Sequence, residues 1–228
     1  MTSTETPAQR SLLSRRTTLL AAATVLVGAA AAGLTARSDT GFRDVLEPVQ
    51  IAMSVLVPFF GVLAVTGLHG PPAPRPDADR RLTPRLVTAV GLAAGFALSG
   101  VLLAAVATGL AGGGWPPASR TAALLVGAVL VQVIAQLVGT GCGLLLRRPG
   151  VAMAATIVVP MGVTGLLGAI DSGGGLVRWF TPYGNAQALL AGEPTAALGV
   201  VVLLWCVTPN VVGAVSRARP HRAVPDRA

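Results

Sequence analysis

Three amide side chains stand within long apolar runs of this sequence. Gln132 and Gln136 lie four residues apart in the run 121–146, and Asn210 lies in the run 195–215. At positions i and i+4 the two glutamines share one face of a helix. An amide in apolar surroundings is costly unless it is hydrogen-bonded. These residues therefore predict polar contact, either with a molecule that passes along the helix or with a neighbouring helix, and the sequence leaves both interpretations open.

The residue types that carry out covalent or metal chemistry form no recognisable site. All 17 basic residues are arginines, so a phosphate-binding loop lacks its lysine and a Schiff-base enzyme lacks its amine. Cys142 and Cys206 stand in apolar runs and are typical of small buried residues. His69 and His221 have no second ligand at metal spacing. We expect no catalytic residues, no metal and no cofactor in this chain.

The stretch GTGCG, residues 139–143, is superficially similar to a phosphate loop. No strand is predicted before it, no lysine follows it, and an apolar helix surrounds it. Gly139 and Gly143 are four residues apart, as are Gly91 and Gly95. This spacing predicts close packing between membrane helices.

Membrane helices are the elements that must position these residues. The chain has 228 residues, of which 53% are apolar and 11% charged, and a mean hydropathy of +0.70. About 20 apolar helical residues cross a bilayer core. The pattern predicts an all-α integral membrane protein with one six-helix domain at 17–215, a tail at 1–16 and a basic tail at 216–228. The expected spans are 17–36, 48–68, 85–110, 121–146, 150–170 and 195–215.

The arginines predict how the spans are oriented, because positive residues in short loops stay on the cytoplasmic side during insertion. With both termini in the cytoplasm, only Arg37, Arg43, Arg120 and Arg178 lie outside, together with most of the acidic residues. The formal net charge of +8 is then explained by topology. No nucleic-acid partner is needed, and the expected partner of the apolar surface is membrane lipid.

The stretch SRRTTLLAAATVLVGAAAAGLTARS, residues 14–38, fits either a twin-arginine export signal or a permanent first span. An export signal precedes a soluble cargo, whereas five further apolar runs follow here. The run is also longer than the apolar region of a signal peptide. We interpret it as the first membrane anchor, with Arg15 and Arg16 as orientation charges.

Prolines interrupt three of the expected spans. Pro58, Pro160 and Pro209 each free a backbone carbonyl and predict a kink. Pro160 is a candidate hinge, although a kink in lipid is often only a matter of shape.

The segment between the fifth and sixth spans is too long for a turn and too apolar for a free loop. It predicts short interfacial helical turns at 176–180 and 185–190, broken at Pro182 and dipping into the outer leaflet.

The order of these elements resembles the membrane subunit of ABC exporters of the type-2 permease family, especially its small actinobacterial members. The resemblance covers most of the chain. LVGTGCGLLLRRPGVAMAATIVVPMGVTGLLGAI, residues 137–170, is similar to the hairpin of that family's fourth and fifth spans. RWFTPYGNAQALLAG, residues 178–192, is similar to its re-entrant segment before the last span. The resemblance implies a multi-pass subunit of the cytoplasmic (inner) membrane that forms a translocation pathway with a second copy or a paralogue, and that couples to a separate ABC ATP-binding subunit.

One stretch departs from the family pattern. Family members often carry an acidic helical segment after the second span that contacts the ATPase, but this chain reads VTGLHGPPAPRPDADRRLTPR, residues 65–85. His69 stands near the expected glutamate, and four prolines oppose a regular helix. Coupling would then use the loop residues Asp77, Asp79, Arg80, Arg81 and Arg85.

Two main functions follow from these observations. The first is an export permease subunit whose ATP hydrolysis resides in a partner. The alternative is a non-transporting polytopic membrane scaffold, or an immunity-like protein, that keeps the fold without the coupling. An ion-driven carrier ranks last because it requires a buried carboxylate, and none of the nine acidic residues lies centrally within an expected span.

Overall fold

The structure is a computed structural model that describes residues 7–66, 78–146, 148–193 and 195–218. These residues form α-helices and one π-helical stretch, with no strand among them. The helices are α1 Pro7–Thr35, α2 Phe42–Ser54, α3 Val57–Thr66, α4 Ala78–Ala111, α5 Ala118–Leu145, α6 Pro149–Ile170, α7 Gly175–Phe180, α8 Pro182–Leu190, α9 Ala197–Val201 and α10 Thr208–Ala218, and the π-helical stretch Val202–Val207 joins the last two.

Six helical segments are long and apolar enough to cross a membrane, which confirms the predicted all-α fold with six spans. The chain is therefore a multi-pass membrane protein. The segments are Arg15–Thr35, Phe42–Thr66, Pro84–Ala111, Ala118–Leu145, Pro149–Ile170 and Ala197–Ser216.

The charged residues at the span ends form two groups. Consecutive spans run in opposite directions, so the bundle has one end with Arg85 and Arg148, called here the basic end. The opposite end, called the acidic end, carries Asp44, Glu47 and Asp171. An even number of spans brings the first and last described residues to the same end. The side of the membrane on which the basic end lies stays a prediction.

The second span begins earlier than hydropathy predicts. It starts at Phe42 and not at 48, so Pro48 lies inside α2. The carboxylate of Asp44 accepts a hydrogen bond from the Gly41 N–H at 2.9 Å, which caps the first turn. The Phe42 ring stacks on Trp115 with 5.1 Å between ring centroids. These contacts stabilise a helical start that contains charged residues. A prediction based on hydropathy leaves those charged residues in the loop before the span.

The third span begins at Pro84, one residue before the predicted start at 85, but its helix begins earlier: α4 starts at Ala78, so Pro84 lies inside it. Asp79, Arg80, Arg81 and Arg85 are therefore on a helix and not in the predicted loop, whereas a coupling role for them stays a prediction. Asp77 lies outside the described residues. The prolines that oppose a helix all precede residue 77. The segment ADRRLT that follows contains alanine, arginine and leucine, which favour a helix, so charged residues extend α4 beyond its apolar part.

Helix α5 is the centre of the bundle and packs against α3, α4, α6, α8 and the last span. Gly139 has no room for a side chain, since an added Cβ would overlap the Pro58 carbonyl group of α3. A Cβ on Gly143 would likewise lie 2.6 Å from a methyl of Val65. Close packing is confirmed for this glycine pair. For Gly91 and Gly95 no described atom of this chain lies within 4 Å of an added Cβ, so close packing of that pair stays a prediction.

The segment before the last span forms the predicted helical pair, α7 and α8, at the acidic end. The Asp171 carboxylate accepts hydrogen bonds from the N–H groups of Gly173 at 3.0 Å and Leu176 at 2.8 Å, which orders the entry into α7. The buried Thr181 hydroxyl accepts from the Gly184 N–H and caps α8. Because Leu189 and Leu190 are buried, α8 is anchored to the bundle.

The last span changes its helical pitch in the middle. The Thr208 hydroxyl and N–H both donate to the carbonyl of Leu203, five residues earlier, which marks the π-helical stretch. Pro209 follows directly and has no N–H to donate. The Asn210 side chain donates to the Cys206 carbonyl at 2.7 Å, so a side chain satisfies a backbone acceptor near the proline.

Candidate functional site

Three polar side chains of α5 form a row through the interior of the bundle. Gln132, Gln136 and Thr140 are spaced four residues apart, lie on one face of α5 and have no exposed surface. At a rise of 1.5 Å per residue the row is about 12 Å long. It is called here the α5 polar row, and each member contacts a different part of the fold.

Gln132 pairs with a glutamine of α2. Its Nε2 donates to the Gln50 backbone oxygen at 2.9 Å and to Gln50 Oε1 at 2.8 Å. Gln50 Nε2 in turn donates to the Ala97 carbonyl of α4 at 2.9 Å. The second, fourth and third spans are thus joined by one amide chain. Gln132 Oε1 has no hydrogen-bond partner in the described part of the protein.

Gln136 bridges two backbone groups at the start of α3. With its amide oriented to satisfy both, Nε2 donates to the Val57 carbonyl at 2.6 Å and Oε1 accepts from the Gly61 N–H at 3.1 Å. These two groups are four residues apart, the separation at which a helix pairs them with each other. Gln136 therefore supports the first turn of α3, where Pro58 supplies no donor.

Thr140 and Asn210 connect α5 to the last span. The Thr140 hydroxyl donates to Asn210 Oδ1 at 2.8 Å. Asn210 Nδ2 donates to the Leu137 carbonyl of α5 at 2.8 Å. A Cβ added to Gly141 would lie 2.8 Å from Pro209 Cβ, so the two helices approach closely beside these bonds. The pair fixes the register of α10 on α5.

The geometry favours contact with neighbouring helices, and not contact with a passing molecule, as the role of the three amides. Gln132, Gln136 and Asn210 all bond to other spans of the same chain, and none of them lines the described cavity. Gln50 and Thr140 complete these contacts, although they are not among the residues predicted from the sequence. Gln50 could have been predicted by the criterion that identified Gln132, because Gln50 is also an amide side chain within a predicted span, the second.

An open apolar cavity of about 440 Å³ lies between α5, α6 and the last span. Val138 and Cys142 of α5 form one wall, Pro160 of α6 another, and Trp205 and Pro209 of the last span the third. The Trp205 indole N–H is satisfied because it donates to the Phe180 carbonyl at 2.8 Å. The walls therefore offer apolar contact.

Pro160, the candidate hinge, lies at this cavity within α6. The Thr164 hydroxyl donates to the Pro160 carbonyl at 2.8 Å. Apart from Ala152 and Thr156, the helix has no buried residue in the described chain, so little packing restrains it. A hinge at Pro160 stays a prediction.

The side chains of four arginines are described at the basic end: Arg15, Arg16, Arg85 and Arg148. Arg85 Nη1 donates to the Ala64 carbonyl at 3.1 Å, which ties the start of the third span to the end of the second. Arg148 is exposed at the start of α6. Arg80 and Arg81 lie in the first turns of α4, near Arg85 in the sequence. The basic end is thus a positively charged surface.

No group of three metal-ligating side chains occurs within the described ranges. Cys206 is buried with its thiol 3.8 Å from the Ile134 carbonyl, and Cys142 is partly buried; neither forms a disulfide.

The chain matches no protein-family model, no curated protein and no solved structure. The assignment as a multi-pass membrane protein rests on its own six apolar helices.

Proposed function

We propose that this multi-pass membrane protein is the membrane-spanning subunit of an ABC-type export system in the cytoplasmic membrane. It pairs with a second copy or a paralogue, forms the translocation pathway and couples to a separate ATP-hydrolysing subunit. The chemistry resides in that partner, consistent with a chain that has no lysine.

The observation that carries the proposal is the order of elements along the chain. A tight turn joins α5 and α6 at the basic end, and the helical pair α7 and α8 lies at the acidic end before the last span. Both features agree with the stretches, residues 137–170 and 178–192, that resemble the type-2 permease family.

The charge distribution supports contact with a partner at the basic end. Arg80 and Arg81 lie in an α4 segment that precedes the apolar span. A helical extension is better suited than a flexible loop to transmit movement of a partner into the membrane, because its backbone hydrogen bonds continue into the span. We assign the coupling surface to this extension.

The distribution of buried residues supports a pathway that lies between two subunits and not within one bundle. The α5 polar row is occupied by bonds within the chain, whereas α1 and α6 have few buried residues. Surfaces of this kind are available to lipid or to a second subunit.

Purification with the ATPase tests the proposal. The tagged chain is coexpressed with any ATP-binding cassette protein that a neighbouring gene encodes, extracted in mild detergent and reconstituted. We expect the ATPase to copurify, and its rate of ATP hydrolysis to rise several-fold over that of the ATPase alone. The R80E/R81E variant should lose most of this stimulation, because it reverses charge at the coupling surface.

Arg120 supplies the matched control, since it is exposed at the acidic end. R120E should retain stimulation if the basic end is the coupling surface. An intact protein that neither retains the ATPase nor changes its rate would contradict the export function.

A non-transporting membrane scaffold or immunity-like protein is the second candidate. It is favoured by the four prolines at residues 71–76, where the family carries an acidic helical segment. A scaffold predicts normal membrane insertion and stability with no effect on ATP hydrolysis.

A further inference from the structure

The apolar cavity between α5, α6 and the last span opens at the surface of the bundle. Leu145, Val159 and Leu204 belong to its lining and are each about half exposed, at 46%, 48% and 47%. We propose that this cavity binds one acyl chain of an anionic membrane phospholipid, whose headgroup lies at Arg148. The site requires only the fold and is independent of the export function.

The chemistry of the walls selects hydrocarbon over water. Among the described residues that line the cavity, Trp205 alone has an N–H or O–H in its side chain, and that N–H is already bonded to the Phe180 carbonyl. An ordered water needs two to four polar partners, and apolar cavities without them stay dry. In a bilayer the surrounding medium that can fill an open apolar cavity is the acyl chains of lipids.

The size of the cavity fits one chain. An apolar cavity of about 150 Å³ accommodates benzene with its six carbons. The volume here is about 440 Å³. Roughly three times as many carbons therefore fit, which corresponds to a long acyl chain. Along α5 the lining runs from Val138 to Leu146, about 12 Å at helical rise and close to the depth of one leaflet.

The position of the charge selects the headgroup. The α5 wall ends at Leu146, and the exposed Arg148 follows two residues later at the start of α6. Asp39, Asp44, Glu47, Asp171 and Glu193 belong to the opposite end, whereas Asp79 lies at the basic end, at the start of α4. A lipid with its tail in the cavity therefore places its phosphate beside a cation, and anionic headgroups gain from this contact.

Quenching of Trp205 by brominated lipid tests the site directly. In the W115F/W179F variant Trp205 is the one remaining tryptophan of the sequence. This variant is reconstituted with increasing mole fractions of phosphatidylglycerol or phosphatidylcholine brominated on the acyl chain. We expect phosphatidylglycerol to reach half-maximal quenching at about a fivefold lower mole fraction, the effect of one basic residue at a membrane surface.

Two matched pairs of variants assign the effect to tail and headgroup. A155F fills the cavity and should lower quenching by both lipids, whereas A154F, at the neighbouring exposed position outside the lining, should leave it unchanged. R148Q should remove the preference for phosphatidylglycerol, and R120Q at the acidic end should retain it. Coincident curves for the two lipids, or equal quenching in A155F and A154F, would overturn the proposal.

Discussion

At the residue scale, the buried amides contribute more to which helices pack together, and in which register, than to the free energy of unfolding. Gln132 reaches α2, Gln136 reaches α3, and Asn210 reaches back to α5, so each bond specifies one neighbour and one register. Hydrogen bonds between membrane helices average only about 0.6 kcal/mol, with values up to about 1.7 kcal/mol. The amides add directional contacts to the apolar packing and the close glycine contacts between these helices.

Gln50 and Gln132 should be energetically coupled. We expect Q50M and Q132M each to destabilise the fold, and the double variant to cost less than the sum of the two. The coupling should be about 0.6–1.7 kcal/mol, because the second substitution removes a partner that is already missing. Unfolding in mixed detergent micelles measures the three free energies of unfolding against the parent protein.

Gln187 provides the control for this cycle, since it is an exposed glutamine at the acidic end. Q187M combined with Q132M should be additive. If Gln50 and Gln132 were equally additive, the hydrogen bond between them would make no contribution in the membrane protein.

At the element scale, glycines set how closely α3 and α5 approach. Two helix backbones approach closely where one of them carries a small residue, and glycine, which has no Cβ, allows the closest approach. Gly139 meets the backbone of Pro58, and Gly61 of α3 meets the backbone of Gln136, where an added Cβ would lie 2.5 Å from its carbonyl oxygen. The close approach also brings the Gln136 amide within reach of the first turn of α3.

Substitution of Gly139 should therefore differ sharply from that of Gly91. An added Cβ at Gly139 would lie 2.6 Å from the Pro58 carbonyl carbon, which is backbone and cannot move aside. We expect G139A to destabilise the protein by roughly 1–3 kcal/mol. G91A meets open space and should change the free energy of unfolding by less than about 1 kcal/mol, in the stabilising direction.

Both variants are compared by thermal unfolding in the same detergent. Equal melting temperatures for G139A and G91A would contradict the close contact between α3 and α5.

The sequence predicted the number of spans well because the length of an apolar run is a property of a local window. The predicted start of the second span was wrong. The observed start of α2 depends on the Gly41 N–H, which bonds to Asp44, and on the ring at the start of the helix, which stacks on Trp115 far away in the chain. Gly139 and Gly91 belong to pairs with the same spacing, yet within the described chain only Gly139 contacts another helix. The neighbouring helices decide which face of a helix is covered, and the hydropathy of a local window does not identify those neighbours.

The same reasoning applies to the candidate site. The spacing of Gln132 and Gln136 placed both on one face of α5, and their burial agrees with that placement. Their partners were not predictable, because the Gln50 carbonyl and the α3 backbone become acceptors and donors only when the helices pack. The cavity is a product of three helices, so no single stretch of sequence indicates it.

At the scale of the whole molecule, charge separates the two ends of the bundle. At the acidic end five carboxylates outnumber the four arginines Arg37, Arg43, Arg120 and Arg178, whereas at the basic end arginines, among them Arg85 and Arg148, outnumber the one described acidic residue, Asp79. During insertion, arginines in short loops are retained in the cytoplasm. The asymmetry therefore predicts that the basic end is cytoplasmic, and the even number of spans then places both tails there.

Labelling of single cysteines by a membrane-impermeant maleimide tests this orientation. In a C142A/C206A background, S38C and S172C introduce exposed thiols at the acidic end, and R148C introduces one at the basic end. We expect S38C and S172C to react in intact cells, and R148C to react only after the membrane is permeabilised, because the reagent cannot cross the bilayer. Labelling of R148C in intact cells would invert the topology, and it would move the proposed coupling surface away from any cytoplasmic ATPase.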